Sequence, residues 1–110
     1  MIYEMRVYTC APGQLPVLLK RFEDTTLRIW KRLGIRPAGF LTTAVGPRNT
    51  DLTYFLAWDS LAEREEKWGQ FMADEEWCKA RAEHVATYGE VVTNIATSFM
   101  QPTAFSTGLL

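Results

Sequence analysis

The sequence predicts an α+β fold in the order strand, helix, strand, strand, helix, strand, and three observations lead to it. Residues 38–45 and 52–58 form two strand-like runs separated by Gly46-Pro47-Arg48-Asn49-Thr50-Asp51, a segment dense in turn formers, which reads as a hairpin with a long loop. A stretch of helical periodicity precedes this hairpin and another follows it, each closed by a glycine. In Leu52-Thr53-Tyr54-Phe55-Leu56-Ala57-Trp58, large side chains occupy both parities, whereas a strand with one solvated face alternates. That strand has to be covered twice.

The 110 residues, 1–110, read as one domain able to bury roughly two-thirds of the surface its unfolded chain exposes. Twelve Lys+Arg against 13 Asp+Glu leave a formal charge of −1, so no global field favours nucleic acid or anionic lipid as a partner. Cys10 and Cys78 are too few and too far apart for a disulfide framework or a zinc site, and read as reduced thiols of a cytoplasmic protein. MIYEMRVY has no basic segment followed by an apolar one, and no apolar run approaches the ~20 residues that span a bilayer. A soluble chain without membrane insertion is expected.

The first strand, Ile2–Cys10, is rich in Tyr and Val and stops at Ala11-Pro12-Gly13. Its odd positions Tyr3, Met5, Val7 and Thr9 are mostly apolar. Its even positions put Glu4, Arg6 and Tyr8 in one row between Ile2 and Cys10, either a solvated face or the floor of a polar pocket.

Across residues 14–33, Leu15, Leu18, Leu19, Phe22, Ile29 and Leu33 follow helical spacing, with Thr25 and Thr26 in the middle of the stripe. Pro16 fits the first turn and Gly34 the left-handed residue after the last. Lys20, Arg21, Arg28, Lys31 and Arg32 lie mainly off the stripe and read as a solvated face. Leu27 and Trp30 also miss it, and are assigned to a contact with a second subunit or the C-terminal tail.

Pro37 disfavours helix at Arg36 and resets the chain into the second strand. A loop centred near Arg48 sets Thr42 opposite Tyr54 and Phe40 opposite Leu56, with the even-numbered residues on one face. After Trp58, Ser60 reads as a helix N-cap with Glu63 completing a capping box. Leu61, Trp68, Phe71 and Met72 give that helix a buried side. Asp74 caps a second segment, Glu75–Tyr88, bearing Trp77, Cys78, Arg81 and Val85, so a bent or interrupted helix is expected. Gly89 closes it, residues 91–100 form the fourth strand, and the tail from 103 to 110 is expected to be irregular.

This order is the ferredoxin-like βαββαβ arrangement, a four-stranded antiparallel sheet with both helical regions on one face. The other face is left bare, and no element remains to cover it. A second copy does so if two sheets pack face to face as a dimeric α/β barrel.

The chain also resembles the NIPSNAP family of small dimeric α/β-barrel proteins. The resemblance rests on Tyr3-Glu4-Met5-Arg6-Val7-Tyr8-Thr9 with Pro12-Gly13, on Gly39-Phe40-Leu41-Thr42-Thr43, and on Gly46-Pro47 with Asn49. Asp59-Ser60-Leu61-Ala62-Glu63-Arg64 and Pro102-Thr103 with Phe105-Ser106 complete it. Tyr54 stands where members of the family commonly have His, which argues against an activity needing an imidazole there. The resemblance implies the fold and a homodimer, or a higher oligomer, more strongly than any reaction.

No nucleophile motif, phosphate-binding loop or metal-ligand cluster occurs, and one histidine cannot build a multi-histidine metal centre. No metal or cofactor is expected. His84 reads as a histidine near a helix C-terminus, or else as a proton carrier or haem ligand. Glu4, Arg6 and Tyr8, joined by Tyr54 and Trp58, combine an acceptor, a cation, phenols and an aromatic wall. They form either a small-molecule pocket inside the dimer barrel or a structural network. Two functional readings follow: a homodimeric module binding a small organic molecule or a partner, and a cofactor-independent oxygenase or isomerase acting on an aromatic or oxygenated metabolite. In the second, Arg6 steadies an enolate or phenolate and Glu4, Tyr8 or His84 moves a proton.

Overall fold

The computed structural model describes residues 1–108. It contains β1 (Ile2–Cys10), α1 (Leu15–Arg21), a π-helical turn (Phe22–Thr26), α2 (Leu27–Leu33), β2 (Arg36–Thr42), β3 (Asp51–Trp58), α3 (Leu61–Ala73), α4 (Glu75–Tyr88) and β4 (Val92–Met100). The sheet order is β2-β3-β1-β4 with every neighbouring pair antiparallel, and the helices lie on one face. This is the predicted α+β, ferredoxin-like arrangement.

The covered face is the unexpected one. On β1 the helices bury Glu4, Arg6, Tyr8 and Cys10, the row that carries the charges, while Tyr3, Met5, Val7 and Thr9 lie on the open face. β3 continues the pattern: Leu52, Tyr54, Leu56 and Trp58 are buried, and Thr53, Phe55 and Ala57 share the open face with β1's apolar row. The polar row thus lies within the subunit, beneath its own helices. It does not line a space enclosed between two sheets.

The helical stretch 15–33 is not a uniform α-helix. Buried Leu18, Phe22, Thr26 and Trp30 recur every four residues, and at about 100° per residue such a series drifts by about 40° at each step. One π turn, in which Leu27 N–H reaches back to the Phe22 carbonyl, takes up an extra residue and returns the series to the core. Trp30 is therefore only 1% exposed, and the expectation of an external contact for it is corrected. Leu27 is partly buried against the same core. Gly34 closes the helix at φ 77°, and a β-carbon there would lie 3.1 Å from Lys67 Nζ.

β2 spans Arg36–Thr42, not residues 38–45, because Ala44 and Val45 have left the sheet and Val45 is fully solvated. The loop centre moves back by one residue, so Phe40 pairs with Tyr54 and Thr42 with Leu52. This corrects the expected register by two positions, which leaves the side chains from Phe40 to Thr42 on their predicted faces. A bulge between Pro37 and Gly39, with Gly39 at φ 148°, precedes the regular pairing.

Ser60 Oγ accepts the Glu63 N–H at 3.1 Å, as expected of the cap, but the Glu63 carboxylate accepts from Asp59 N–H at 2.7 Å and not from the cap's own N–H. Asp74 caps α4 by accepting from Trp77 N–H at 3.0 Å. Leu61 and Met72 are about half exposed (51% and 48%), so the buried side of α3 narrows to Arg64, Trp68 and Phe71. The tail has a turn around residues 104–105 and no regular structure elsewhere through 108; its predicted last two residues lie outside the described chain.

Candidate functional site

Trp30, Phe22, Tyr54, Phe40, Trp68, Phe71 and Trp77 form a continuous aromatic core, with neighbouring ring centroids from 4.6 Å (Phe71–Trp77) to 6.4 Å (Trp30–Phe40). The core fills the space above β2 and β3. It does not extend over β4: α4 packs on α3 and the π turn, and open space separates it from β4. Ile95 and Phe99, on the helix side of β4, stay 50% and 44% exposed. Between α4 and the β1–β4 half of the sheet lies a cleft of about 800 Å³, within the ordinary size range of small-molecule sites.

All five predicted site residues meet in one hydrogen-bonded network behind this cleft. Glu4 Oε1 accepts from Trp58 Nε1 at 3.0 Å and Arg64 Nε at 3.2 Å; its Oε2 accepts from Arg6 Nη1 at 2.9 Å and Arg64 Nη2 at 3.3 Å. With four bonds the carboxylate has used its acceptor positions, so it has no lone pair to offer a substrate proton. Arg6 also donates from Nε to Tyr54 Oη at 2.8 Å, from Nη1 to Thr97 Oγ1 at 3.3 Å and from Nη2 to Tyr8 Oη at 3.2 Å, and its guanidinium lies 4.5 Å from the Trp68 ring centroid. Burial pulls the Arg6 pKa down, but Tyr54, Tyr8 and Glu4 outweigh it and hold the value above its usual range.

Glu4, Tyr54 and Trp58 are fully buried and do not reach the cleft; Arg6 and Tyr8 do. The Tyr54 phenol is pushed well above its ordinary pKa, chiefly by burial and then by Tyr8, so it keeps its proton. Having accepted from Arg6, Tyr54 Oη donates to Tyr8 Oη at 2.8 Å. Tyr8 then accepts from both Tyr54 and Arg6, and its own hydroxyl hydrogen is left to donate into the cleft. Arg6, Tyr54 and Tyr8 form a donor chain ending at the cleft floor.

Residues outside the predicted set also belong here. Arg64 shares a stripe with Trp68 and Phe71, at spacings of four and three, and that placement beside the apolar side of α3 is its signal in the sequence. Arg21 is corrected from the solvated face: it lines the cleft, with Nε buried and unpartnered and its guanidinium 5.6 Å from the Trp77 ring centroid. Burial draws its pKa below the usual value, opposed by Tyr8 and reinforced by Arg81. His84 Nδ1 lies 3.5 Å from Arg21 Nη1 with its ring against Tyr88, so it neighbours the site without lining it. Burial first, and then Arg21, lowers the His84 pKa; the Val17 backbone opposes them. Cys10 is buried, which raises its thiol pKa against the pull of Arg21. Among the described residues no three of His, Cys, Asp and Glu converge as a metal site requires. None of the helices in the described chain is long and apolar enough to cross a membrane.

The NIPSNAP family model matches residues 3–107, nearly the whole chain. The chain belongs to the NIPSNAP family. Among solved structures it is similar to a NIPSNAP family protein of unknown function from Agrobacterium tumefaciens, at 28% identity over 99% of this chain and 94% of that one, with a TM-score of 0.83. An uncharacterized NIPSNAP domain protein from Burkholderia xenovorans is 26% identical over 96% of this chain and 98% of that one, with a TM-score of 0.82. An antibiotic biosynthesis monooxygenase shares the fold, with a TM-score of 0.60 over 94% of this chain and 99% of that one, at only 9% identity. The search of curated proteins found no match. These two NIPSNAP proteins are themselves uncharacterized or of unknown function.

Proposed function

We propose that this NIPSNAP chain is a homodimeric small-molecule-binding protein whose site is the cleft beneath α4. The observation that carries this reading is the cleft itself: about 800 Å³, apolar and aromatic along much of its wall, with the Tyr8 hydroxyl and the Arg6 and Arg21 guanidiniums converging on it. Such a wall buries the body of a ligand while the few polar groups fix its orientation. Filling the cleft tests this. Val85→Trp should abolish the tryptophan-fluorescence response to small organic ligands that quench Trp68 and Trp77, without lowering the unfolding midpoint by more than a few degrees. Equal binding by parent and variant would place the site elsewhere.

Dimerisation through the open sheet face is the second part of the proposal. Tyr3, Met5, Val7, Phe55, Ala96 and Met100 lie on that face, and among the described residues no helix lies over it. A second copy presents the same apolar surface, as a two-fold interface requires. Light scattering over a dilution series should give twice the chain mass down to micromolar concentration, and Met5→Glu should give the single-chain mass. A parent that is monomeric and cooperatively folded at micromolar concentration would refute the dimer.

A second reading draws on the donor chain. Arg6 and Tyr54 polarise Tyr8 toward the cleft, which suits stabilisation of an enolate or phenolate by a cofactor-independent isomerase or oxygenase. Glu4, with its acceptor positions filled, has no part as a base in that reading; Tyr8 carries it.

A further inference from the structure

Two guanidiniums come deep into the cleft, and they differ in how they are neutralised. Arg6 faces Glu4 at 2.9 Å, and the Glu4 carboxylate is shared with Arg64. Arg21, among the described residues, has no carboxylate within ion-pairing distance; its nearest polar neighbour is an imidazole nitrogen at 3.5 Å, and its Nε has no partner. A desolvated charge is ordinarily paired and hydrogen-bonded, because removing it from water is costly. The third cleft cation, Arg81, sits at the exposed mouth with Glu90 at 3.7 Å. The cleft therefore holds one half-buried guanidinium with no carboxylate partner among the described residues and with its Nε enclosed, at the foot of a wall built from Trp68, Phe71 and Trp77.

We infer that Arg21 is the anion-binding residue of this cleft, and that the ligand is an aromatic monocarboxylate held by the Arg21 guanidinium and the Tyr8 hydroxyl with its ring system against Trp77. The inference rests on the reading of the cleft as a small-molecule site and adds the chemical class of the ligand. A guanidinium presents paired N–H donors to the two oxygens of a carboxylate, and the Tyr8 hydroxyl offers a further donor at the same cleft wall. One negative charge matches one unmatched cation; a second would have to displace the Arg81–Glu90 contact at the mouth.

The test is a titration with matched probes: naphthalene-2-carboxylate, indole-3-acetate and 3-phenylpropanoate, each beside its primary amide, with dissociation constants measured by calorimetry near neutral pH. At least one acid should bind the parent about tenfold or more tightly than its amide, as a charge-assisted pair implies. Arg21→Gln should reduce that ratio to near one, with Arg21→Lys keeping part of it. Without probe, the Arg21→Gln midpoint should equal or exceed the parent's, because a half-buried charge without a carboxylate partner and with an enclosed, unpartnered Nε has been removed. The inference fails, and the cleft reading stands, if the amides bind the parent as well as the acids do or if the acid preference survives Arg21→Gln. A marked fall in the Arg21→Gln midpoint would make Arg21 a structural residue and overturn the inference as well. Absence of binding by every acid and every amide would overturn both readings.

Discussion

Arg6 and Arg21 enter the same cleft, one from the sheet and the other from the helix layer, and the chain surrounds them in opposite ways. Arg6 is enclosed by an acceptor for almost every donor it has: Glu4, Tyr8, Tyr54 and Thr97, with Trp68 against its face. Arg21 has an aromatic ring, an imidazole and an unpartnered Nε. Identical guanidiniums can thus serve different ends in one cavity. A charge whose donors are saturated by its own fold holds strands together, since moving it breaks several bonds at once. A charge left unmatched costs stability in the empty protein and is available to an anion that enters.

The sharpest way to break this contrast is to remove the carboxylate that sets Arg6 apart. Glu4→Gln keeps the size of the side chain and deletes its charge, leaving Arg6 and Arg64 near one another without the anion that both contact. The expected cost is ~3–5 kcal/mol of unfolding free energy, the range for breaking a buried ion pair from one side. Urea unfolding of parent and variant measures it. A loss below about 1 kcal/mol, the range of an exposed pair, would mean that Arg6 is no better neutralised by its fold than Arg21 is.

Much of this arrangement is legible in the sequence. Glu4, Arg6 and Tyr8 alternate along one strand and therefore share a face whatever the tertiary structure does, and a register error of two positions still delivers Tyr54 and Trp58 to that face. Which face the helices cover was not legible in β1 alone, because the apolar row of Tyr3, Met5 and Val7 is the natural candidate for burial. The charged row is the one buried, with Arg64 from α3 joining Arg6 on the Glu4 carboxylate, and the stripe that Arg64 shares with Trp68 and Phe71 is its sign in the sequence. Arg21 was hidden for a different reason. It ends α1, just before the π turn, among basic residues that read as solvated, whereas Trp30 lies beyond the turn, where a uniform 3.6-residue period puts it on the wrong side. Periodicity registers such a turn only as the run of four-residue spacings from Leu18 to Trp30.

The smallest expected effect lies on the Arg21 side, at His84. Its folded pKa is lowered from 6.5, first by burial and then by Arg21, so the folded state favours the neutral ring more than the unfolded chain does. The groups around that ring are the Arg21 guanidinium, the Val17 backbone and Tyr88, with no carboxylate among those contacts. Between the lowered folded value and 6.5, the unfolded chain binds more protons than the native one. Stability therefore rises with pH across that window. The contribution is fully present above the unfolded pKa and is lost as pH falls toward the folded value. His84→Gln removes the titration and should flatten this part of the curve, while leaving stability above neutral pH nearly unchanged. Chemical unfolding of both proteins from mildly acidic to mildly alkaline pH measures the difference. If the two curves run parallel below pH 6.5, His84 feels neither its burial nor Arg21, and the picture of a cation without a carboxylate partner pressing on this imidazole would have to be given up. A bound carboxylate should oppose the effect by neutralising Arg21, so a probe acid that fits the cleft should raise the His84 pKa in the parent, a shift readable from the imidazole proton resonances.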